Sequence, residues 1–512
     1  MAAMETPAIQ PATSLILIVT LPSMPIFTQR VISQFWSSQL LSFGLMGFNA
    51  TVKRVKMTIS NGLIMLMIHT SLASAAAGQV ASVEKTSPAG GLTCDVSSFG
   101  AVPDDERADT RAFQSAIDAC GDRGGVVYVP SGRFDLGQVN LRSRMHLHLA
   151  AGSLLKASGK LSDFPVNTAI DEAGRHRPFI VGVGVRDLSI SGLGAIDGSG
   201  PQYWGKEDVD RIRFGLIVQG CSNVKVRDIT IRDTPMFLMG VMDCDNVVVD
   251  GVTLTAPADS PNTDGLQIID SHDVRISNCL ISVGDDGIVP KMRKRMIERL
   301  QVNNCRITSD DGAIKFGTRS SSGMRDSLFS NLTITDSRYG IAMFMIHGGV
   351  YENIRFSNIR IATGGRHSRH YPIFIDVEDR ADSVAEQGSQ NRPLGRVNGI
   401  TFDGIDITTA GNIMIGGHPK SPITDLTLSD IRMRVSNAQD LPKLKGKPMG
   451  NRTFKPVPGS PDYSGVNAHI VLGSVSGANL DNVDVRAVTP TDARPTLATP
   501  GSTAIAAPGL SR

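Results

Sequence analysis

Three aspartates stand out by residue type and spacing. Asp264 lies in Asn262-Thr263-Asp264-Gly265, and Asp285 and Asp286 lie in Gly284-Asp285-Asp286-Gly287, 21 and 22 residues further on. If that offset is one turn of a repeating chain path, the three carboxylates project together from one face. Like charges a few ångströms apart are unfavourable unless one group keeps its proton. A protonated carboxyl beside an ionised one is the pair that breaks a glycosidic bond, one as acid and one as base. Asp-Gly and Asp-Asp-Gly are also ordinary turn formers, and further Asp-Asp pairs stand at 104–105 and 310–311. The two phrases together, one coil apart, give the acid–base reading its specificity.

Such an offset requires a repeat, and the chain has one. Val224-Lys225-Val226-Arg227-Asp228-Ile229-Thr230-Ile231 is followed by Val247-Val248-Val249-Asp250-Gly251-Val252-Thr253-Leu254. The phrase recurs with Cys279, Cys305, Leu332, Ile359, Ile405, Ile431 and Val483 at the place of Ile229. From 229 to 359 the steps are 23, 27, 26, 27 and 27 residues. Alternation of apolar and polar residues marks a strand with one buried face, and the Asn, Asp or Gly pair bends the chain into a second short strand. So small a unit buries its face only by stacking on copies of itself. The predicted fold is all-β, a parallel β-helix. A barrel or doubly wound fold would need a long helix in each repeat, and none is visible.

One helix is predicted from Ala112 to Cys120, with Asp109 or Thr110 as N-cap, to plug the N-terminal end of the stack. Cys279 and Cys305 fall at an inward position, and Cys221 and Cys244 share another, so all four read as core thiols. No Cys/His cluster suggests a metal site. Cys94 and Cys120 flank the helix and could pair.

Charge is nearly balanced, 51 Lys+Arg against 49 Asp+Glu, which argues against a nucleic-acid partner. The chain has 52 glycines but only 18 Phe, 6 Tyr and 2 Trp, which suits many turns and aliphatic strands. Lys53-Arg54-Val55-Lys56, the apolar stretch from Gly62 to Leu72 and Ala73-Ser74-Ala75-Ala76-Ala77 follow the order of a secretory leader. A membrane anchor is the alternative, but the apolar stretch is short of the ~20 residues a span needs. The chain therefore divides into an extension without structural role at 1–56, a leader at 57–77, a linker at 78–92, the catalytic β-helix at 93–495 and a flexible tail at 496–512. A secreted or periplasmic monomer without stable membrane association is expected.

From about Ser97 to Arg494 the chain resembles glycoside hydrolase family 28, the polygalacturonases and rhamnogalacturonases. The resemblance rests on Ser98-Phe99-Gly100-Ala101-Val102, on Ala108 to Ile117, on Gly124 to Gly132, on Gly194 to Gly200 with Trp204, and on the two aspartate phrases. It implies a right-handed parallel β-helix of the pectin-lyase-like solenoid type, and inverting hydrolysis of a pectin-type polysaccharide without metal or other cofactor. Asp285 would be the acid, and Asp264 and Asp286 would hold and deprotonate the attacking water. Acid and base would stand ~6.5–9.5 Å apart.

Two family motifs are missing. Gly312 stands where the family has the histidine of Gly-His-Gly, and Ala342 and Phe344 replace the two cations of Arg-Ile-Lys. A bound uronate wants a cationic partner, so Lys315, Lys291, Arg319 and His347, with Asn262, are the candidate substrate-binding residues; each is also readable as a solvated surface residue. Gly312 to Thr318 and Asp492-Ala493-Arg494-Pro495 resemble a divergent bacterial branch of the family. Two other readings stay open. One is a pectate-lyase-like, Ca²⁺-dependent β-elimination with Lys315 as base. The other is a non-catalytic carbohydrate-binding β-helix.

Overall fold

The computed structural model describes residues 91–170, 176–378, 393–440, 443, 461–489 and 492–512, with the backbone of 55–60 and 63–68. The chain divides into two units, Met1–Thr86 and Ser87–Arg512. In the first, Val55–Ser60 pairs antiparallel with Leu63–Ile68. The expected extension, leader and linker otherwise lie outside the described residues, save for Gly91 and Leu92. No helix among the described residues is long and apolar enough to cross a membrane.

The second unit is a parallel β-helix. Among the described residues, one sheet stacks twelve short strands, from Val139–Asn140 through Leu266–Ile269, Ile288–Lys291, Gly312–Phe316 and Tyr339–Met345 to Leu497–Ala498. The remaining strands of the coils form a second sheet system of 23 strands. The predicted repeats stack in register: Val224, Val247 and Val274 align, as do Val226, Val249, Ile276 and Val302. All are buried in one continuous core.

The bend inside each repeat has a plain cause. Asp228, Gly251, Asn278, Asn304, Asn331, Asn358, Gly404, Asp430 and Asn482 all have φ between 52° and 68°. Asn, Asp and Gly tolerate that left-handed conformation with the least steric cost. Each turns the following apolar residue into the core, where Ile229, Val252, Cys279 and Cys305 are all buried. Cys221 and Cys244 are buried free thiols as well, so the four cysteines are core residues.

The helix runs from Thr110 to Cys120 and buries Ala112, Phe113, Ala116, Ile117 and Cys120 against the first coil. Phe113 meets Phe134 edge to face at 5.2 Å. Capping differs from expectation. Asp109 holds the N-cap position without a side-chain cap, because its Oδ1 accepts from the Val102 backbone N–H at 3.0 Å. Thr110 accepts instead from the Gly137 N–H at 2.8 Å.

Cys94 and Cys120 form a disulfide across a sequence separation of 26, tying the first strand to the helix end. Closing a loop of that size restricts the unfolded chain by about 3 kcal/mol. Cys94→Ser is expected to lower the urea midpoint by that much stability, and an unchanged midpoint would show that the helix plug holds without the bond.

The C-terminal end departs from the expected flexible tail at 496–512. Leu497–Ala498, Thr503–Ala506 and Leu510–Ser511 continue the coil stack, pairing in parallel with Ile470–Val471, Ser476–Asn479 and Val483–Asp484. The β-helix therefore runs past 495. This last coil carries short, weakly apolar segments, so its strand signal is faint in sequence.

Candidate active site

Four consecutive coils bring their charged residues to one corner of the twelve-stranded sheet. Asp264 precedes strand Leu266–Ile269, Asp285 and Asp286 precede Ile288–Lys291, Asp310 and Asp311 precede Gly312–Phe316, and Arg338 precedes Tyr339–Met345. Backbone hydrogen bonds fix the stacking: Gly265 N–H donates to Asp286 O at 2.8 Å and Gly287 N–H to Gly312 O at 2.8 Å. The glycines after the aspartates are not turn formers. A Cβ at 265 would meet the Gly287 carbonyl oxygen at 2.6 Å, and one at 287 the Ala313 carbonyl oxygen at 2.5 Å. Glycine is required there because the next coil passes so close.

Asp264, Asp285 and Asp286 present oxygens within 4.8 Å of one another. The separation expected of acid and base, ~6.5–9.5 Å, is therefore not what the nearest oxygens show. The coil spacing sets their distance.

The donors to the three carboxylates are unequal. Asp286 receives Lys315 Nζ at 3.0 Å and the Gly312 N–H at 3.1 Å. Asp264 receives Gln267 Nε2 at 2.7 Å, with Lys291 Nζ 3.4 Å away. Among the described residues, none donates to the Asp285 side chain. Burial, then the charges of Asp286 and Asp264, push the Asp285 carboxyl well above the ordinary range. Burial raises Asp286 to about 7, with Lys315 acting against the rise. Asp311 is drawn down to about 2 by Lys315 and Arg338 despite its burial. Donors to the ionised form favour it, and isolation from donors favours the neutral form. Of the three, Asp285 therefore has the least support for its ionised form among the described residues.

Asn262, Asp264, Asp285, Asp286, Lys291, Lys315 and Arg319 line one cleft. Asn262 Oδ1 accepts from the buried Arg211 at 2.8 Å. His347 is not among the lining residues. It is buried, with Nδ1 2.8 Å from the Thr318 carbonyl oxygen, because its strand end tucks beneath the 318–320 turn. Lys315 lines the cleft, but its ammonium lies 3.0 Å from Asp286 and 2.8 Å from Asp311. Its charge is thus already matched by protein carboxylates. At the family's cation positions, Ala342 and Phe344 are buried in an aromatic cluster with Tyr339, Tyr371 and Phe374.

Sequence reasoning missed Asp311 and Arg338, which pair at 2.9 Å, and three cleft arginines, Arg213, Arg293 and Arg366. Arg213 and Lys291 stand over the Phe237 ring at 4.8 and 5.1 Å. Arg366 grips Asp310 through Nε at 3.1 Å and Nη2 at 2.8 Å, and reaches the Ala258 carbonyl oxygen at 3.0 Å. A one-coil offset applied to Asp310–Asp311 would have found the first pair. The arginines carry no motif.

The three clustered oxygens could face a cation, but the surroundings do not suit one. Calcium takes six to eight oxygens, whereas Lys315 and Lys291 already place ammonium groups against two of these three carboxylates. Lys315 is also held well above its ordinary pKa by Asp286, Asp311 and Asp285. Its burial pulls the other way, but the three carboxylates outweigh it and favour the ammonium over the neutral amine that an elimination base requires.

The molecule matches known proteins over most of this architecture. A "Probable polygalacturonase" of Vitis vinifera is 26% identical over 381 residues, 65% of this chain and 76% of that protein. An "Exopolygalacturonase" of Zea mays is 26% identical over 377 residues, 70% of this chain and 87% of that protein. In fold, the family 28 exopolygalacturonase of Yersinia enterocolitica superposes with a TM-score of 0.64 at 16% identity, over 87% of this chain and 81% of that one. The family model described as "Glycosyl hydrolases family 28" matches residues 120–446, the coils that carry every carboxylate of the cluster. By that span the chain belongs to glycoside hydrolase family 28.

Proposed function

We propose that the cleft hydrolyses a pectin-type uronan, galacturonan or rhamnogalacturonan, with inversion at the anomeric carbon. The observation that carries this reading is the unequal donor set of the three carboxylates. Asp285 gives its proton to the glycosidic oxygen as the C1–O bond breaks. A water held by Asp264 and Asp286 attacks C1 from the opposite face and loses its proton to one of them. Exchange with solvent then restores the starting protonation. General acid–base help of this kind contributes about 10²–10⁴-fold to the rate.

The uronate reading is supported by the relatives' names and by further cations lining the same cleft. Arg213, Lys291, Arg293 and Arg319 offer charge-assisted partners to a sugar carboxylate. They take the place of the cations absent at 342 and 344. Arg293 Nε lies 3.4 Å from Asp270, which fixes its stem.

The test is one assay of the full chain on polygalacturonate, its methyl ester and rhamnogalacturonan. Reducing ends, absorbance of unsaturated sugars and the first-formed anomer by proton NMR are read together. Reducing ends should rise without the absorbance, faster on a free-acid polymer than on the ester, with the inverted anomer appearing first. Unsaturated product would establish elimination instead. A retained anomer would overturn the roles of Asp264 and Asp286, and equal rates on acid and ester would remove these cations from recognition.

We infer further that the enzyme acts as an exported monomer; a disulfide in the first coil supports an oxidising compartment. The family branch suggested by Gly312 to Thr318 is a divergent one. Its bacterial character rests on that stretch and on Asp492 to Pro495 alone, since the two relatives compared above by sequence are plant proteins.

A further inference from the structure

Lys315 sits at the centre of a buried chain of charges that hydrolysis alone does not explain. Its ammonium bridges Asp286 at 3.0 Å and Asp311 at 2.8 Å, and Asp311 in turn takes Arg338 Nη1 at 2.9 Å. The Lys315 side chain is 12% exposed and that of Arg338 only 2%. The order Asp286–Lys315–Asp311–Arg338 alternates in sign, which is the arrangement in which buried charges are tolerated.

The neighbouring glycine belongs to the same device. A Cβ at Gly312 would meet Lys315 Cβ at 2.9 Å, Lys315 Cδ at 3.1 Å and Asp286 Oδ1 at 3.2 Å. The near end of the lysine stem cannot swing away, so the stem occupies the room that a side chain at 312 would need. The Gly312 N–H completes the hold by donating to the same Asp286 oxygen.

We propose that Lys315 is a positioning residue for Asp286: bridged to Asp311 and backed by Arg338, it orients Asp286 within the catalytic cluster and draws it toward the ionised form a base needs, and Gly312 provides the space it occupies. This rests on the reading of Asp286 as part of the base. It assigns Lys315 no grip on the substrate, because both its carboxylate partners come from the protein. The charged and titratable groups facing the pair are Asp264, Asp285, Asp311, Arg338 and Tyr339.

Two variants move the base in opposite directions. Lys315→Met removes the cation from Asp286, so kcat should fall on the order of 100-fold while KM changes by less than about threefold. The acidic limb of kcat/KM should rise by about one pH unit or more. Asp311→Asn keeps both neighbouring side chains but leaves the lysine to Asp286 alone, so the same limb should move down. If Lys315→Met fails to fold, Asp311→Asn carries the test. Raised KM with unchanged kcat in Lys315→Met would make Lys315 a substrate-binding residue. Lower kcat with an unmoved limb would reduce it to structural support, and an upward shift in Asp311→Asn would contradict the bridge. Asp285→Asn is run in the same assay to separate the two failures. Turnover retained in Asp285→Asn would bring down the carboxylate assignment and this inference together. An inactive Asp285→Asn with an unmoved limb in Lys315→Met would bring down this inference alone.

Discussion

Asp285→Asn is expected to lower kcat by about 10²–10⁴-fold while the coil stack stays intact. The argument is chemical and geometric at once. Of the three clustered carboxylates, Asp285 is the one to which no described residue donates a hydrogen bond, and burial and the charges of Asp286 and Asp264 favour its protonated form. An amide in its place has the same shape and no proton to give to a departing sugar oxygen. KM should change little, since the acid acts mainly when the C1–O bond breaks. Leaving groups offer a sharper readout. On an aryl glycoside whose phenol leaves without protonation, most of the lost rate should return. A variant equally slow on both substrates would show that Asp285 does something other than protonate the leaving oxygen. One with full activity on the polymer would remove it from the mechanism.

The parts of this site that sequence displays are those in which one residue does one job. The Asn, Asp or Gly before each apolar mark carries a left-handed bend in every coil, so the repeat could be read and with it the stacking of Asp264 on Asp285 and Asp286. Asp310–Asp311 was equally visible but reads as an ordinary turn pair, because its meaning depends on Lys315 four residues later and Arg338 one coil on. Lys315 has the sequence position of a substrate cation, yet its charge is matched by Asp286 and Asp311. His347 shows the reverse. Nothing in its sequence context distinguishes a cleft residue from one folded under the 318–320 turn. Asp109 has the residue type of an N-cap but its carboxylate accepts from the Val102 N–H instead, because the first coil passes close enough to compete. What remains illegible in one sequence is the choice among several partners of like chemistry, which packing decides.

The same crowding that prepares the acid has a cost in stability, and its pH dependence should be measurable. Asp286 moves from 3.8 to about 7 on folding, and Asp285 is raised as well. A carboxyl whose folded-state pKa is raised binds protons more tightly in the folded chain, so its contribution is fully present below pH 3.8 and is lost as pH rises toward the folded value. For Asp286 that window runs from about 3.8 to about 7 and amounts to something on the order of 4 kcal/mol. Buried histidines work the other way. His469, lowered to about 4 mainly by burial, withdraws stability as pH falls below its ordinary 6.5. The whole-protein profile therefore mixes both signs, and the difference between variant and parent isolates the carboxylates. Asp285→Asn/Asp286→Asn should match the parent in urea unfolding near pH 4 and exceed it progressively up to pH 8, by a few kcal/mol. Lys315, left facing Asp311 alone, reduces that gain without changing its sign, because Asp311 keeps both of its cations. A double variant with the parent's stability at every pH would mean that the folded chain bears no penalty for placing these carboxylates together. The case for Asp285 as a proton held in reserve would then lose its physical basis.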